Sequence, residues 1–446
     1  MNQGNVMPLE VAYKEIPKLK ELRKNNDEKI QSWLDISLTL EGMNRTVGTH
    51  AAGVVIAPGP ITDYAPVYKT TQTDLMTQYS MNDLEKVGLL KIDFLGIRTL
   101  RAIENALKMI EEHHHKKIDL ETIADDDQKV FGLFAKGNCV GVFQFESPGM
   151  QDALRRLKPS QFTDLVAMNA LYRPGPMEMI PAFIDRKLGR QKFEYLHPKL
   201  EPILKETFGI IVYQEQVIRM ASDFAGFTLA KADLLRRAMG KKDKELMLQQ
   251  RKQFISGAIA NGYTEKLAIE IFDLIEKFAS YGFNKSHSVA YAKLAYQTAF
   301  LKTYFPAEFM AATLSTELGD NTRIGILIED CRKHDIAVRA PDVNESALDF
   351  FVTREKILFG LSAIKGVGTN AVENIIKARE SGGKFLNIFD FISRVNLRLV
   401  NKRTLEGLIQ SGAFDALHSN RAQLFKAIER ITVYGQTVQE NKQQGQ

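Results

Sequence analysis

The sequence predicts a mixed, mostly α-helical protein of several domains, and three observations lead to that fold class. Its 446 residues exceed what one compact core holds and correspond to roughly two to four domains of about 100 to 200 residues. Apolar residues make up 44% and charged residues 25% of the chain, which is ordinary globular usage and excludes a collagen-like or wholly disordered chain. Helical spacing of apolar residues dominates, and strand-like runs are short.

The predicted elements follow one another in a simple order. Helical spacing covers residues 9–43 and returns after Gly96 to about residue 315. Between them, residues 50–95 carry short β-rich runs separated by Pro, Gly, Asp and Asn, which predicts a small sheet. A second sheet element and short helices are expected from Arg339 onward, and the polar tail 436–446 is expected to be disordered.

Two classes of protein are excluded by what the sequence lacks. No stretch approaches the about 18 uncharged apolar residues of a membrane span, and the N-terminus has no signal-peptide layout, so we expect a cytosolic protein. Cys139 and Cys331 are the two cysteines, and each lies far from the other in the sequence. They therefore predict neither a disulfide framework nor a cysteine-based zinc site.

The net charge of +5 is concentrated in one segment. Residues 231–252 contain eight basic and three acidic side chains, so the rest of the chain is electrically balanced. The segment begins in a predicted helix with Thr228 as N-cap and Gly240 as its stop. This distribution indicates a local binding surface for anions more than a generally basic protein.

Arg236 stands out within that helix because it falls on the apolar arc, where a guanidinium needs an anion. Asp233 precedes Arg237 by four residues and accounts better for Arg237 than for Arg236. Lys241 and Lys242 follow directly. Phosphate binding and an ordinary ion-paired helix remain equal alternatives for this segment.

The run 87–95 reads as a strand. Alternation places Lys91 and Asp93 on one face, opposite the apolar face that carries Ile92. A carboxylate and an ammonium at a strand end are compatible with a metal and phosphate edge. A surface ion pair explains the same spacing and is favoured on spacing alone.

The segment 281–291 leads into a predicted helix that Ser286 or Ser288 would cap. The unpaired N–H groups at the start of that helix, together with Lys285 and His287, would attract an oxyanion. A capped helix with a surface lysine is the equal alternative.

Residues 364–376 have the pattern of a helix-hairpin-helix. Gly366 and Gly368 form the predicted tight turn, and a helix with periodic apolar positions follows at once. Such hairpins hold a backbone phosphate through main-chain N–H groups, without reading the base sequence.

Taken together, these strings resemble one family, the bacterial replicative DNA polymerase III alpha subunits, or C-family polymerases. The matching strings occur in the family's order from residue 48 to about 415 and read GTHAAGVVIAP, LLKIDFLGIRTL, GVFQFES, LYRPGP, IVYQEQV, DLLRRAMGKK, FASYGFNKSHSVAYA and IKGVGTNAVENIIKARE. Eight ordered strings of this length are specific, and they cover most of the chain.

The resemblance implies a nucleotidyltransferase-type palm in which three aspartates hold two Mg²⁺ ions. Asp93 resembles the third of them, which makes it the expected catalytic and metal-binding residue, and Lys91 would face the nucleotide phosphates. The other two aspartates belong to a Pro-Asp-Ile-Asp-type motif that this sequence does not contain. We therefore expect the chain to be inactive without a partner that supplies the N-terminal half of the polymerase.

The resemblance also assigns binding residues. Arg236 and Arg237 resemble the arginines that grip the incoming deoxynucleoside triphosphate (dNTP). The other residues expected near the nucleotide are Arg173, Tyr213, Gln214, Lys285, Ser286 and His287. The residues expected on primer–template DNA are Lys241, Lys242, Lys365, Gly366, Gly368 and Thr369.

By the same resemblance the chain is a polymerase fragment of several modules, which are the remainder of the thumb (1–48), the C-terminal part of the palm (49–98), a long helical fingers domain (99–340) and a helix-hairpin-helix module (341–435). The sliding clamp and other replisome subunits would bind through regions outside this sequence, and the location would be cytoplasmic, near the nucleoid. A catalytically dead nucleic-acid-binding or assembly protein derived from the same subunit is the alternative.

Overall fold

The computed structural model describes residues 7–43, 48–69, 75–241, 244–278, 282–353 and 356–443, with backbone alone for 239–241, 244, 442 and 443. These residues are mostly helical with three small sheets, so the predicted fold class is confirmed. They fall into two compact units, Met1–Gly96 and Ile97–Gln446. No described helix is both long and apolar enough to cross a membrane.

The first unit combines short helices with short strands. Its helices are α1 (Leu9–Glu15), α2 (Pro17–Arg23), α3 (Glu28–Leu40) and α4 (Met81–Lys86), and its strands are β1 (Gly53–Ile56), β2 (Val67–Lys69), β3 (Leu75–Thr77) and β4 (Leu90–Asp93). The strands form two antiparallel pairs, β1 with β4 and β2 with β3, where the sequence predicted one sheet. Strand β4 is shorter than the predicted run because Gly88, at φ +80°, turns the chain between α4 and β4.

The β1–β4 sheet has an unusual distribution of exposure. Lys91 lies on the covered face, and its side chain is 15% exposed. The opposite face is apolar, yet Ile56, Leu90 and Phe94 are 47%, 58% and 65% exposed. A contiguous exposed apolar face of this kind is typical of a surface that another polypeptide covers.

The second unit begins with a long helical region. Its helices are α5 (Arg98–His114), α6 (Gln128–Lys136), α7 (Pro148–Leu157), α8 (Phe162–Leu171), α9 (Ile180–Lys187), α10 (Glu201–Leu204), α11 (Gln214–Ala225), α12 (Leu229–Lys241), α13 (Lys244–Ala260), α14 (Glu265–Phe278), α15 (Lys285–Tyr304), α16 (Pro306–Thr316) and α17 (Asn321–Lys333). Helix α15 is central because its alanines at 292, 295 and 299 are fully buried and allow close packing against its neighbours.

In its described residues, the second unit ends with a small sheet and four helices. The strands are β5 (Val338–Arg339), β6 (Phe351–Thr353) and β7 (Lys356–Leu358), and the helices are α18 (Thr369–Gly382), α19 (Ile388–Arg394), α20 (Lys402–Ser411) and α21 (Arg421–Gln443). Strand β7 lies in the middle, parallel to β5 and antiparallel to β6. This sheet agrees with the prediction of a second sheet element after Arg339.

The expectation of a disordered tail from residue 436 is wrong for residues 436–443, which continue α21. The Gln439 side chain donates to the carbonyl oxygens of Ile392 and Val395 at 3.0 and 2.9 Å, which anchors the polar end of the helix to α19. Glu, Gln and Lys are also good helix formers, so polarity alone did not imply disorder. Residues 444–446 lie outside the described residues.

Candidate functional site

Lys91 and Asp93 form one group of predicted site residues, in the first unit. They share a face of β4, as alternation predicted, and Lys91 Nζ lies 2.7 Å from Asp93 Oδ1. The hydrogen bond from Lys91 holds the pKa of Asp93 below its ordinary value. His50 Nδ1 lies 3.9 Å from the same oxygen and accepts from the backbone N–H of Gly53 at 2.7 Å. Asp93 is therefore an ionised carboxylate that faces a cation.

The surroundings of Asp93 do not form a two-metal site by themselves. Two Mg²⁺ ions require several oxygen ligands, usually from more than one carboxylate. Across the residues that the structure describes, no three His, Cys, Asp or Glu side chains come close enough together to hold a metal ion. Asp93 thus fits one ligand of such a site and not the whole site.

A second group of predicted residues converges on the short segment 282–287 in the second unit. Phe283 is at its centre: the guanidinium carbon of Arg173 lies 3.9 Å from the centre of its ring. The Phe283 carbonyl accepts from the backbone N–H of Gln214 at 2.9 Å, and the Gln214 side chain donates to the Gly282 carbonyl at 2.9 Å. Residues from α11, α15 and the loop after α8 therefore meet at one place.

The rings around this segment differ in exposure. His287 is exposed, and its ring lies over that of Tyr291 with 4.1 Å between centroids. Tyr213 is 2% exposed, and burial raises the pKa of its hydroxyl. Lys285 Nζ lies 5.4 Å from the centre of this buried ring. The expectation that Tyr213 lies near the nucleotide stays a prediction.

Lys285 begins α15 and already has anionic partners within the chain. Its Nζ donates to both carboxylate oxygens of Glu206, at 2.7 and 2.8 Å. Its backbone N–H, the first of the helix, donates to the Glu215 carboxylate at 3.0 Å. The start of α15 and the lysine ammonium thus form an anion-binding position that two glutamates occupy.

The predicted cap of α15 needs correction. The helix begins one residue before Ser286, and Asn284 is the N-cap, accepting from the backbone N–H of His287 at 2.8 Å. Ser286 is exposed, whereas Ser288 is buried and donates to the Val166 carbonyl at 2.6 Å. Ser286 therefore remains available to a ligand, and Ser288 holds α15 against α8.

Arg236 and Arg237 lie on α12, which begins after the predicted N-cap Thr228, whose Oγ1 accepts from the backbone N–H of Lys231. Arg236 Nε donates to one oxygen of Asp233 at 2.7 Å, and Arg237 Nε donates to the other oxygen at 2.8 Å. The expectation that Asp233 serves mainly Arg237 is wrong, because it binds both equally. These hydrogen bonds, that from Arg236 foremost, lower the pKa of Asp233.

Among the other basic residues of the 231–252 segment, Arg251 has a structural role, and the predicted DNA contacts concern Lys241 and Lys242. Arg251 bridges to Asp273 and Glu276 of α14 at 2.6 and 3.0 Å, so it stabilises the fold. Lys242 lies outside the described residues, and the side chain of Lys241 is likewise outside them. The predicted DNA contacts of these two lysines stay predictions.

The helix-hairpin-helix pattern is confirmed by the backbone. Gly366 adopts φ +89°, which only glycine takes readily, and Gly368 precedes α18 without any side chain that caps the helix. Helix α20 approaches closely, since a Cβ at Gly407 would lie 2.8 Å from the Lys365 carbonyl oxygen. The exposed N–H groups of Thr369 and its neighbour therefore face solvent at a helix start.

An open groove of about 610 Å³ lies against this hairpin. It is lined by the turn, by the start of α18 and by Arg398 and Arg403 from the region where α20 begins. Within the described ranges, Lys365, Arg398 and Arg403 have no carboxylate at ion-pair distance, whereas Lys402 pairs with Glu429 at 2.9 Å. We refer to residues 365–369 with Arg398 and Arg403 as the hairpin site.

Sequence reasoning missed several of these residues. Phe283 and Glu215 lie within the strings FASYGFNKSHSVAYA and IVYQEQV, but no local signal gives the partners of these two residues or of Glu206. Their contacts span up to about 110 residues of sequence, as between Arg173 and Phe283. Arg403 could have been found from its place in the first turn of a capped helix, since Asn401 is a recognisable N-cap. The contacts of Phe283, Glu206 and Glu215 join residues that are far apart in the sequence, and such contacts leave no local signal.

Comparisons with known proteins agree with this arrangement. Residues 99–262 match the bacterial DNA polymerase III alpha subunit finger domain, residues 335–424 match a helix-hairpin-helix motif, and residues 1–96 match the bacterial DNA polymerase III alpha NTPase domain. The fold and these matches thus define a segment of a DNA polymerase alpha subunit type of protein, with a helical finger region and a helix-hairpin-helix module.

Individual relatives make the assignment specific. The chain is 45% identical over 431 residues to the DNA polymerase III subunit alpha of Caulobacter vibrioides, 45% over 448 residues to that of Thermus aquaticus and 47% over 436 residues to that of Pasteurella multocida. These matches cover 96%, 99% and 95% of this chain and 38%, 36% and 38% of the relatives. The chain belongs to the bacterial DNA polymerase III alpha subunit family and spans less than two fifths of the length of these relatives.

Proposed function

We propose that this chain provides the nucleotide-contacting fingers and a duplex-contacting hairpin for template-directed DNA synthesis from dNTPs, with release of pyrophosphate. The convergence of Arg173, Gln214, Arg236 and Lys285 around segment 282–287 carries the proposal. These residues come from four separate parts of the sequence, and they bring guanidinium and ammonium groups together near the exposed ring of His287. The family of the chain supports the same function.

Each group has a distinct task in this proposal. Arg236 and Arg237 hold the triphosphate through forked N–H donors, and Lys285 with the start of α15 holds a further phosphate oxygen. The His287–Tyr291 pair offers a flat surface for a base, with Ser286 and Arg173 beside it. Catalysis of this kind rests on positioning and on compensation of phosphate charge.

DNA binding is assigned to the hairpin site and to Lys241 and Lys242. The main-chain N–H groups at the hairpin suit a backbone phosphate, which fixes the duplex without reading its sequence. The location proposed for such a protein is cytoplasmic, near the nucleoid. The module limits proposed for it are 1–48 for thumb, 49–98 for palm, 99–340 for fingers and 341–435 for the hairpin module.

Catalysis is proposed to require carboxylates in addition to Asp93. Asp93 would serve as one Mg²⁺ ligand only together with further carboxylates, with Lys91 beside the phosphates. The β1–β4 sheet has an exposed apolar face, which favours contact with another polypeptide. We propose that this polypeptide is a further part of the polymerase. The sliding clamp and other replisome subunits are proposed as more distant partners.

Primer extension tests this proposal. The chain alone should extend no primer, and extension should appear when a polypeptide with the family's Asp-x-Asp motif is added. Asp93→Asn should abolish the complemented activity, whereas Asp63→Asn, an exposed carboxylate of the same unit, should leave it intact. Extension by the chain alone, or complemented activity that survives Asp93→Asn, would overturn the proposed role of Asp93.

A catalytically dead nucleic-acid-binding or assembly protein is the second candidate. The observation that favours it is the pairing of Asp93 with Lys91, which satisfies the carboxylate without a metal. This candidate predicts tight primer–template binding and no extension under complementation. The complementation experiment therefore separates the two functions.

A further inference from the structure

Asp233 is the one carboxylate that touches both guanidiniums of the arginine pair in the described part of the chain. Its two oxygens accept separately, one from Arg236 Nε at 2.7 Å and the other from Arg237 Nε at 2.8 Å. The spacing of three and four residues on one helix makes this double contact possible, since both neighbours lie one turn further along the same face. The two arginines are thus held side by side by a single side chain.

The choice of nitrogen atoms matters for binding. Both contacts use Nε, and in the described residues neither arginine donates to Asp233 through a terminal Nη atom. In the described residues, Arg236 Nη1 has a further contact, to Gln214 Oε1 at 3.5 Å, and the other terminal nitrogens of the pair have no partner. Terminal nitrogens form the fork that binds phosphate oxygens in pairs.

Lys285 provides an instructive contrast. Its donor atom, Nζ, is covered by both oxygens of Glu206 at 2.7 and 2.8 Å. A phosphate competes with Glu206 for that nitrogen, whereas it can reach the terminal nitrogens of the arginines with Asp233 in place. The two carboxylates therefore affect anion binding in opposite ways.

Holding a long side chain in its binding conformation before the ligand arrives reduces the entropy lost on binding. Arginine has substantial rotamer entropy, and Asp233 restrains two arginines at once. Electrostatic repulsion opposes this gain, because the negative carboxylate of Asp233 weakens the binding of a nearby phosphate. The two effects have opposite signs, so an experiment can separate them.

We propose that Asp233 is a positioning residue, which orients Arg236 and Arg237 so that their terminal nitrogens are ready to bind a polyphosphate. This inference rests on the proposed function, in which the two arginines contact the triphosphate. It predicts that loss of the Asp233 charge weakens polyphosphate binding, although the site becomes more positive.

The test compares variants of the full chain by isothermal titration with dATP and with inorganic triphosphate. Asp233→Asn keeps the shape of the side chain but only one acceptor oxygen, and affinity should fall roughly three- to tenfold. Asp233→Glu, which retains two acceptor oxygens, should recover part of the loss. The matched control is Asp223→Asn, which removes a carboxylate paired at i,i+4 with Arg219 on α11 and should leave affinity unchanged or slightly higher.

The possible results separate a failure of this inference from a failure of the proposed function. If Arg236→Ala weakens binding but Asp233→Asn binds as tightly as the parent, or more tightly, the positioning role is overturned. If Arg236→Ala also leaves affinity unchanged, the arginines are not triphosphate ligands, and the proposed function falls with the inference. If Asp233→Glu melts at the same temperature as the parent and recovers part of the affinity, the result supports a positioning role and argues against a loss of fold as the cause.

Discussion

Two regions differ in how the charge of their basic residues is compensated: the region around segment 282–287 and the hairpin site. In the first region Arg236, Arg237 and Lys285 each contact a carboxylate of the chain at 2.7–2.8 Å. In the second, within the described ranges, Arg398 and Arg403 have no such partner, and main-chain N–H groups complete the site. Carboxylates fix side-chain geometry, whereas unpaired exposed cations stay adaptable and attract anions at longer range.

This difference suits the two kinds of ligand proposed for these regions. A nucleotide triphosphate must be held in one orientation, so fixed donors suit it. A duplex backbone presents repeated phosphates and moves past the protein, so unpaired cations and a rigid hairpin suit it. The comparison therefore predicts that substitutions in one region leave the ligand of the other region bound.

The largest effect is expected from Arg236→Ala. Hydrogen bonds to charged groups contribute about 1.5–3 kcal/mol, so dATP affinity should fall about ten- to hundredfold. Isothermal titration of the full chain measures this loss. Arg219→Ala, which removes an exposed arginine of α11 paired with Asp223, is the control and should change affinity little.

Gly366→Ala should weaken binding of primer–template duplex. A side chain at φ +89° costs about 1–2 kcal/mol, which distorts the turn and lowers affinity about five- to thirtyfold. Gly262→Ala imposes similar backbone strain, at φ +87°, in a turn with open space around it, and should leave duplex binding unchanged. Equal losses in the two variants would show that reduced stability, and not the hairpin, is responsible.

Arg403→Ala should weaken duplex binding and lower its salt dependence, because both follow from the loss of one phosphate contact. Removal of one phosphate contact lowers the slope of log affinity against log salt concentration by about 0.9. The adjacent Lys402 is already paired with Glu429, so Lys402→Ala should change the slope less. Fluorescence anisotropy of a labelled duplex at four salt concentrations gives both slopes. Identical slope changes would contradict the distinction between paired and unpaired cations.

The smallest effect is expected from Glu206→Gln, which removes the carboxylate that covers Lys285 Nζ. The pair is partly exposed, and such pairs contribute about 0.2–1 kcal/mol, so dATP affinity should rise about twofold. Glu201→Gln, which breaks the exposed pair with Lys205 at 3.6 Å, should have no effect. Weaker dATP binding after Glu206→Gln would show that Glu206 positions Lys285 and does not compete for it.

Much of this arrangement could be predicted from local sequence signals. The start of α12 at Thr228, the hairpin at Gly366 and Gly368, and the shared face of Lys91 and Asp93 all follow from capping, turn or alternation rules. These rules concern residues within about one helical turn or one pleat of each other. Their success reflects the short range of the forces involved.

Other features depend on contacts that local rules do not describe. The role of Phe283 depends on Arg173, which is 110 residues away, and the burial of Tyr213 depends on packing around α11 and α15. The helical tail was missed because its stability comes from Gln439 contacts with α19. The spacing favours Arg237 over Arg236 as the partner of Asp233, because spacing cannot say how the two oxygens of a carboxylate are shared.

Cross-binding with two variants and two ligands tests the central claim most directly. Arg236→Ala and Arg403→Ala are each titrated with dATP and with a primer–template duplex under one buffer condition. The account predicts that Arg236→Ala loses dATP and keeps the duplex, while Arg403→Ala weakens the duplex and keeps dATP. If both variants weaken both ligands equally, the two regions act as one generic basic surface, and the account is contradicted.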